Sequence, residues 1–420
     1  MKIAVIGGGS TYTPELLDGL IERRVALGLG AVVLHDIDAS RLEAVSGFCE
    51  RMAAHRGAPA LVRSTLDRGD ALDGADFVIN QVRVGGQQAR HADIQLCLEF
   101  DLIGQETTGM GGFAKALRTI PVTLDLCRAM ERVCPNAWLL NFTNPSGLVT
   151  EAILDHGHPK AIGLCNVPMD AKMALATHLA VEPRQIDLDY VGLNHLSWLR
   201  RVTVEGRDVT SAVLDALAGG TPANLPDLID PPHLVRAVGG FPLYYLRFFY
   251  HRQAMLAGLK AAPRSRAQEV MEIEERLLAI YRDSSRHEKP DALSERGGAY
   301  YSVVAVELVE AIALDLGNEQ VVNVRNEGAI PNVEPKAVVE IPSRIGRTRV
   351  IPRPTTPLSP AQLGLLQAVK SYEQLTIQAS VERSRDAAIA AMLVHPLGPD
   401  ADRVEALLDR IIAKDCIELA

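Results

Sequence analysis

The sequence is poor in aromatic residues and has no long apolar run. The first feature is typical of compact α/β enzymes, and the second argues against a membrane-spanning protein. Phe, Trp and Tyr make up 5% of the 420 residues, a composition that suits a compact α/β enzyme. No apolar stretch approaches the roughly 20 residues that a membrane-spanning helix requires. We therefore expect a cytoplasmic protein without membrane contact, whose apolar start is a first β-strand rather than a secretion signal.

The chain also lacks an excess of positive charge and closely spaced cysteines. It has 43 Lys and Arg against 52 Asp and Glu, a net charge of −9, so nucleic acid is not an expected partner. Its 6 cysteines are scattered, without the short-spaced pairs of a structural zinc site. This usage predicts free thiols in a reducing compartment.

What the sequence does contain is an alternation of short apolar strands with helical segments. The strands are predicted at residues 1–6, 31–36, 75–82, 137–142 and 161–164. Strands alternating with helices indicate a Rossmann-like, doubly wound parallel sheet. We assign residues 1–165 to this NAD-binding domain.

The pattern changes after residue 166. Residues 187–199 and 201–209 resemble paired strands, the Pro- and Gly-rich stretch 211–232 resembles a surface excursion, and long helical patterns follow at 243–259, 265–282, 298–316, 360–395 and 401–414. We therefore predict that residues 166–420 form a second, α+β domain of mixed sheet and long helices, in an arrangement like that of lactate and malate dehydrogenases. The cleft between the two units is the expected site.

A glycine-rich turn follows the first strand. Gly7 and Gly9 permit close backbone approach to a pyrophosphate, and Ser10 leads into the next helix, whose N-terminus favours an anion. Asp36, at the end of the second strand, is placed to accept from ribose hydroxyls and favours NAD over NADP. Tyr12 stands where the full fingerprint has a third glycine, so the match to a nucleotide-binding turn is partial.

Other candidates follow strands whose carboxyl ends open onto the expected cleft. Cys165 and His195 have donor atoms that suit a borderline divalent metal, although either residue alone is more often structural. Arg83 and Arg90 could grip a phosphate or simply be solvated loop arginines. Asn144 precedes a proline, which favours an extended backbone and presents its side chain to the same cleft.

Several motifs, taken together, resemble glycoside hydrolase family 4, and the nearest branch is the 6-phospho-β-glucosidases. They run from the first strand to near the C-terminus: IGGGS at 6–10, GQETTG at 104–109, NFTNPSG at 141–147, GLCNVP at 163–168, GLNH at 192–195, RGG at 296–298 and HPLGPD at 395–400. NAD-dependent members of that family are an exception to two-carboxylate glycoside hydrolysis.

The resemblance implies a redox route to hydrolysis. NAD⁺ takes a hydride from C3 of the sugar, a base removes the acidified C2 proton, and the aglycone leaves from C1. Water then adds, and hydride returns to C3, so that the cofactor is recycled. The implied substrate is a phosphorylated disaccharide or aryl glycoside, and the family is typically a homodimer or homotetramer.

The resemblance also implies residue roles. Cys165 and His195 would hold Mn²⁺ or another divalent transition metal against the sugar. Tyr245 matches the base, with Tyr244 as its competitor, and Arg247 is an expected cation beside them. Glu106 is expected in the cleft without an assigned role.

Substrate contacts are implied for Arg90, Asn144 and Arg266, with Arg83 beside them as a phosphate ligand. Asn166 directly follows the cysteine, where α-glucosidase-like members carry an aspartate that acts as proton donor. An amide cannot donate a carboxyl proton, so this position favours the β branch and leaves the leaving-group acid unidentified.

Three alternatives remain open at this point. The first is a family member acting on a different sugar. The second is an NAD-dependent dehydrogenase of 2-hydroxy acids, which shares the sheet and the glycine turn. The third is a non-catalytic NAD-sensing protein in which Cys165 and His195 are structural.

Overall fold

A computed structural model describes residues 1–218, 230–296 and 300–419. Its strands, numbered in chain order, are β1 Lys2–Ile6, β2 Ala31–His35, β3 Val62–Thr65, β4 Phe77–Asn80, β5 Trp138–Asn141, β6 Ala161–Gly163, β7 Ile186–Leu193, β8 Leu196–Val204, β9 Arg207–Asp208, β10 Phe241–Pro242, β11 Glu319–Arg325, β12 Val338–Ile345 and β13 Val350–Pro352.

The α-helices, also in chain order, are α1 Thr13–Leu27, α2 Ala39–His55, α3 Arg68–Leu72, α4 Gly86–Glu99, α5 Met110–Val133, α6 Ser146–His156, α7 Val167–Leu179, α8 Thr210–Ala218, α9 Pro232–Val238, α10 Arg247–Tyr250, α11 Arg252–Ala261, α12 Arg266–Arg282, α13 Tyr301–Leu314, α14 Pro360–Glu382, α15 Arg385–Val394 and α16 Val404–Asp415. Single 3₁₀ turns lie at Pro183–Gln185, Tyr244–Leu246 and Asp291–Arg296.

The first six strands form a parallel sheet in the order β3-β2-β1-β4-β5-β6. This is the order of a doubly wound dinucleotide-binding fold. Strands β2 and β3 add to one side of β1, and β4, β5 and β6 add to the other side. The carboxyl ends of β1 and β4 therefore open onto the crevice where such folds bind ligands. The predicted Rossmann-like fold is confirmed.

The sheet continues beyond β6 without a break. β11 pairs antiparallel with β6, and the order then runs β12, β7, β8 and β10. The second half of the chain therefore adds an antiparallel extension that makes the whole sheet mixed, together with long helices, as predicted. The domain division at residues 165 and 166 stays a prediction.

Three sequence predictions had wrong boundaries. The apolar pattern at 187–199 is interrupted by the tight turn between β7 and β8, which holds His195 at φ 63°. The predicted helix 360–395 is two helices, because Arg383 adopts φ 56° and Ser384 caps α15. The stretch 243–259 is a 3₁₀ turn followed by α10 and α11.

Two further predictions fall partly outside the described residues. The excursion predicted at 211–232 begins within α8, and residues 219–229 lie outside the described chain. The helix predicted from 298 begins at Tyr301, and Gly297 and Gly298 of the RGG motif are also outside it.

The described helices include none that is both long and apolar enough to cross a membrane. All six cysteines are free, and five of them are buried, which agrees with the absence of disulfides expected from the sequence.

Candidate active site

A cavity of about 1200 Å³ lies at the carboxyl ends of the parallel strands. Its wall includes twelve of the residues that the sequence singled out: Gly7, Gly9, Ser10, Asp36, Arg83, Arg90, Asn144, Cys165, Asn166, His195, Tyr245 and Arg266. Residues far apart in sequence thus face one volume, which is large enough for a cofactor and a small substrate together.

The glycine turn after β1 is shaped for close approach of a ligand. Gly7 has φ 87°, and a Cβ there would lie 3.0 Å from the backbone of Gln81. The amide of Gly9 donates to a carboxylate oxygen of Asp36 at 2.9 Å, which ties the turn to the end of β2. The cradle fits a dinucleotide, with the N-terminus of α1 next to the turn.

Tyr12 occupies the third-glycine position and is the N-cap residue of α1. The Arg296 guanidinium lies over its ring, 4.0 Å from the centroid, so this side chain adds a wall to the cavity rather than closing the turn. Arg296 also pairs with Glu274 of α12 at 2.6 Å, and Glu274 pairs with Arg41 of α2 at 3.2 Å. The mouth of the nucleotide side is therefore held by one shared carboxylate.

Cys165 and His195 are brought together across the sheet. Cys165 follows β6, His195 lies in the β7–β8 turn, and Sγ is 3.4 Å from Nε2. Burial raises the pKa of the thiol well above its ordinary value, with Glu340 adding to the effect. Burial lowers the pKa of His195 to about 3, which keeps the imidazole neutral. A neutral imidazole beside a sulfur donor fits a divalent transition metal, whose binding would displace the thiol proton.

Thr107 determines which nitrogen of His195 faces the cysteine. Its hydroxyl lies 2.5 Å from Nδ1 of His195 and donates to the amide oxygen of Gln105 at 2.8 Å. That oxygen also accepts from the backbone amides of Thr107 and Thr108, so its orientation is fixed. Metal binding by Nε2 beside Cys165 requires the ring proton on Nδ1, which would then donate to the Thr107 hydroxyl while that hydroxyl donates to Gln105.

We expect Thr107→Val to weaken Mn²⁺ affinity by about 10-fold, because it removes the acceptor that sets the tautomer and orientation of His195. Mn²⁺ titration monitored by electron paramagnetic resonance measures this directly, without turnover. Thr107→Ser keeps the hydroxyl and should retain wild-type affinity. Equal Mn²⁺ affinity in the valine variant and the wild type would remove Thr107 from this role.

Tyr245 stacks directly on His195. The ring centroids are 3.7 Å apart and the planes differ by 15°. Burial raises the pKa of Tyr245 well above 10, and the charges of Cys165 and Glu106 raise it further. Arg90 is an arginine that acts in the opposite direction and lowers this pKa. Arg247 lies over the neighbouring Tyr244, 3.6 Å from its ring centroid.

Glu106 organises the cationic wall of the cavity. Its carboxylate pairs with Arg83 at 2.5 Å, Arg90 at 3.2 Å and Lys115 at 2.8 Å. Burial opposes its ionisation, but Arg83, Arg90 and Lys115 outweigh burial and lower the pKa of Glu106 well below its usual value. Burial and the charge of Arg83 lower the pKa of Lys115 to about 7. Each guanidinium has five N–H donors, so both arginines keep donors for an anion.

The remaining predicted residues border this wall. Arg266 starts α12 and pairs with Glu269 at 2.9 Å. Asn144 follows β5 and forms a cis peptide bond with Pro145. Asn166 precedes α7 and donates to Asp170 at 2.5 Å.

Three contributors to the site were not predicted: Thr107, Lys115 and Glu274. Thr107 lies within a motif that carries the family resemblance, which was the signal available. Lys115 is a buried cation in the otherwise apolar first turns of α5, and a lone lysine in such a run could have indicated it. Glu274 lies on α12 and gives no local sign of its distant partners.

Comparisons with known proteins cover nearly the whole chain. A model described as family 4 glycosyl hydrolase matches residues 2–181, and one for the C-terminal domain of that family matches residues 190–398. The chain is 38% identical to the probable 6-phospho-beta-glucosidase of Bacillus subtilis, covering 98% of this chain and 96% of the relative. It is 36% identical to the 6-phospho-beta-glucosidase of Escherichia coli, covering 98% and 94%.

Solved structures agree. The 6-phospho-beta glucosidase from Thermotoga maritima, solved with manganese, NAD⁺ and glucose-6-phosphate, has a TM-score of 0.93 at 37% identity over 100% of both chains. Malate dehydrogenase from Plasmodium falciparum has a TM-score of 0.58 at 13% identity, covering 91% of this chain and 99% of that one. The second likeness is one of fold alone, and it confirms the predicted dehydrogenase-like arrangement.

Proposed function

This chain belongs to glycosyl hydrolase family 4, and from that membership we propose that it is an NAD- and divalent-metal-dependent 6-phospho-β-glucosidase. The observation that carries the proposal is the position of the Cys165–His195 pair, 3.4 Å apart, in the same cavity as the glycine turn. One substrate can therefore meet a redox cofactor and a metal at once. Relatives named 6-phospho-beta-glucosidase at 36–38% identity support this substrate class.

The residues divide into a cofactor side and a metal side. Gly7, Gly9, Ser10 and Asp36 would hold NAD⁺, which supplies oxidation and later re-reduction at C3 of the sugar. Cys165 and His195 would hold Mn²⁺ or a similar ion, which supplies Lewis-acid polarisation of the sugar oxygens. Two protein ligands leave coordination positions for those oxygens.

Tyr245 is proposed as the base that removes the C2 proton. Its ring is held against His195 by stacking, so its position is coupled to that of the metal site. Burial disfavours the tyrosinate, and a nearby cation offsets that cost. Arg90 faces Tyr245 and supplies part of this charge in the protein itself.

The phosphate group is proposed to meet Arg83 and Arg90, with Arg266 and Asn144 as further substrate contacts. Glu106 holds the first two guanidinium groups on one wall, so an incoming phosphate finds donors already aligned. Asn166 stands where α-branch members have an acid, and it favours β-glucosides. We further propose that the protein is a homodimer or homotetramer located in the cytoplasm. Its two domains are proposed to divide between residues 165 and 166.

The test is hydrolysis of p-nitrophenyl-β-glucoside-6-phosphate by purified protein with NAD⁺ and Mn²⁺. We expect nitrophenol release that needs both additions, without net accumulation of NADH, because hydride returns to the sugar. Net NADH formation from a 2-hydroxy acid would instead support a dehydrogenase. Tight NAD⁺ binding without turnover of any phosphoglycoside would support a sensor, and either result would overturn the proposal.

A further inference from the structure

We propose that His55, His287 and Glu288 form a second metal site, on the outer surface, which takes Zn²⁺ or a transition-metal ion of similar ligand preference. One donor atom from each of the three side chains lies within 4.8 Å of the other two. In the part of the chain that the structure describes, this is the one group of three or more His, Cys, Asp and Glu donors meeting that distance. It is separate from the Cys165–His195 pair and lines no part of the cavity.

The donor set determines the metal. Two imidazoles and one carboxylate make the ligand set that zinc uses in open sites, with water at the fourth position. Tetrahedral zinc places its ligand atoms about 3.3 Å apart, and the three donor atoms already lie within 4.8 Å of one another. The ring centroids of His55 and His287 are 4.0 Å apart and the ring planes differ by 40°, so both rings must turn until one nitrogen of each faces the ion. His55 and Glu288 are exposed, which leaves room for that turn. Mn²⁺ binds such nitrogen-rich sets more weakly than zinc does.

The backbone that carries the ligands is held in place without a metal. Arg51, one turn before His55 on α2, donates to the carbonyl oxygens of Tyr281, Asp283 and Arg286 at 2.7, 3.1 and 2.8 Å. On the other side, Lys289 pairs with Glu15 at 2.9 Å. Residues 287 and 288 therefore lie between two anchored points, opposite His55, and metal binding orders little additional chain.

The site would join two distant parts of the chain. His55 is the last residue of α2, and His287 and Glu288 follow α12. These two helices also carry Arg41 and Glu274, which pair at the mouth of the cavity. An ion bound at the surface would thus hold together the two helices that border the nucleotide side, and would stabilise the folded protein by mass action.

The test uses full-length protein stripped of metal, and the Cys165→Ser variant to remove the site in the cavity. In the Cys165→Ser protein, calorimetric titration with Zn²⁺ should give one site and raise Tm by about 3 °C. Adding His55→Gln or His287→Gln should abolish both effects and leave the metal-free Tm unchanged. His156→Gln, which alters another exposed histidine, should keep both.

Full Zn²⁺ binding in the His55→Gln and His287→Gln backgrounds would overturn the site, as would the absence of any zinc-dependent rise in Tm. Neither result bears on glycosidase activity, because His55→Gln in the otherwise wild-type protein should hydrolyse phosphoglycosides with Mn²⁺ at the wild-type rate. Failure of this site and failure of the proposed function are therefore distinguishable.

Discussion

Cys165→Ser is expected to lower metal-dependent turnover by about 10³-fold, equivalent to ~4 kcal/mol of transition-state stabilisation. The thiolate is the one anionic donor that the Cys165–His195 pair offers a dication, and a serine hydroxyl is not deprotonated at neutral pH. Turnover with and without added Mn²⁺ measures the loss, and NAD⁺ binding measured by fluorescence quenching should stay intact.

The control for this change is Cys416→Ser, because Cys416 is exposed and lies near the C-terminus. It should leave kcat and the metal requirement unchanged. The serine variant at 165 should also bind Mn²⁺ much more weakly than wild type when measured directly. A Cys165→Ser protein with an unaltered Mn²⁺ requirement would refute the ligand role.

The second large effect concerns the base. Tyr245→Phe should reduce kcat by about 10²–10⁴-fold, the range for loss of a general base. It should also abolish exchange of the C2 proton of the substrate with deuterated water. Phenylalanine keeps the ring that stacks on His195, so Mn²⁺ affinity should change little. Proton NMR of substrate recovered from D₂O measures the exchange independently of hydrolysis.

Tyr244→Phe is the matched control, because Tyr244 is the neighbouring tyrosine and packs edge-on against Tyr245 at 5.0 Å. Its hydroxyl should be dispensable for exchange. If Tyr245→Phe exchanges normally and Tyr244→Phe does not, the base is Tyr244, and Arg247 over its ring would be the cation that favours ionisation.

Five of the six parallel strands were predictable because their signals are local, whereas β3 was missed because its sequence, VRST, has no apolar run. Short buried strands, each followed by a helix, determine the topology from residue 1 to 163. The antiparallel extension was harder. β12 contains Glu340 and Pro342, which break the apolar pattern of a strand, and its pairing with β7 and β11 joins segments far apart in sequence.

The candidate site residues were predicted from strand ends and from the family resemblance, but the organisation of the site depends on contacts between distant segments. The position of His195 in a turn could not be predicted, because a non-glycine residue at φ 63° is uncommon and Asn-His is not a usual turn pair. The pairing of Arg83 and Arg90 through Glu106, and the orientation of His195 by Thr107, likewise require the folded chain. Sequence alone therefore predicted residues that line the cavity but not the contacts that organise them.

The uninterrupted hydrogen bonding from β1 through β6 and β11 to β7 has a consequence for motion. The nucleotide turn, Cys165 and His195 all lie at the ends of strands of this one sheet. Domain closure about a hinge, common in two-lobed enzymes, would have to break the strand pairing of this sheet.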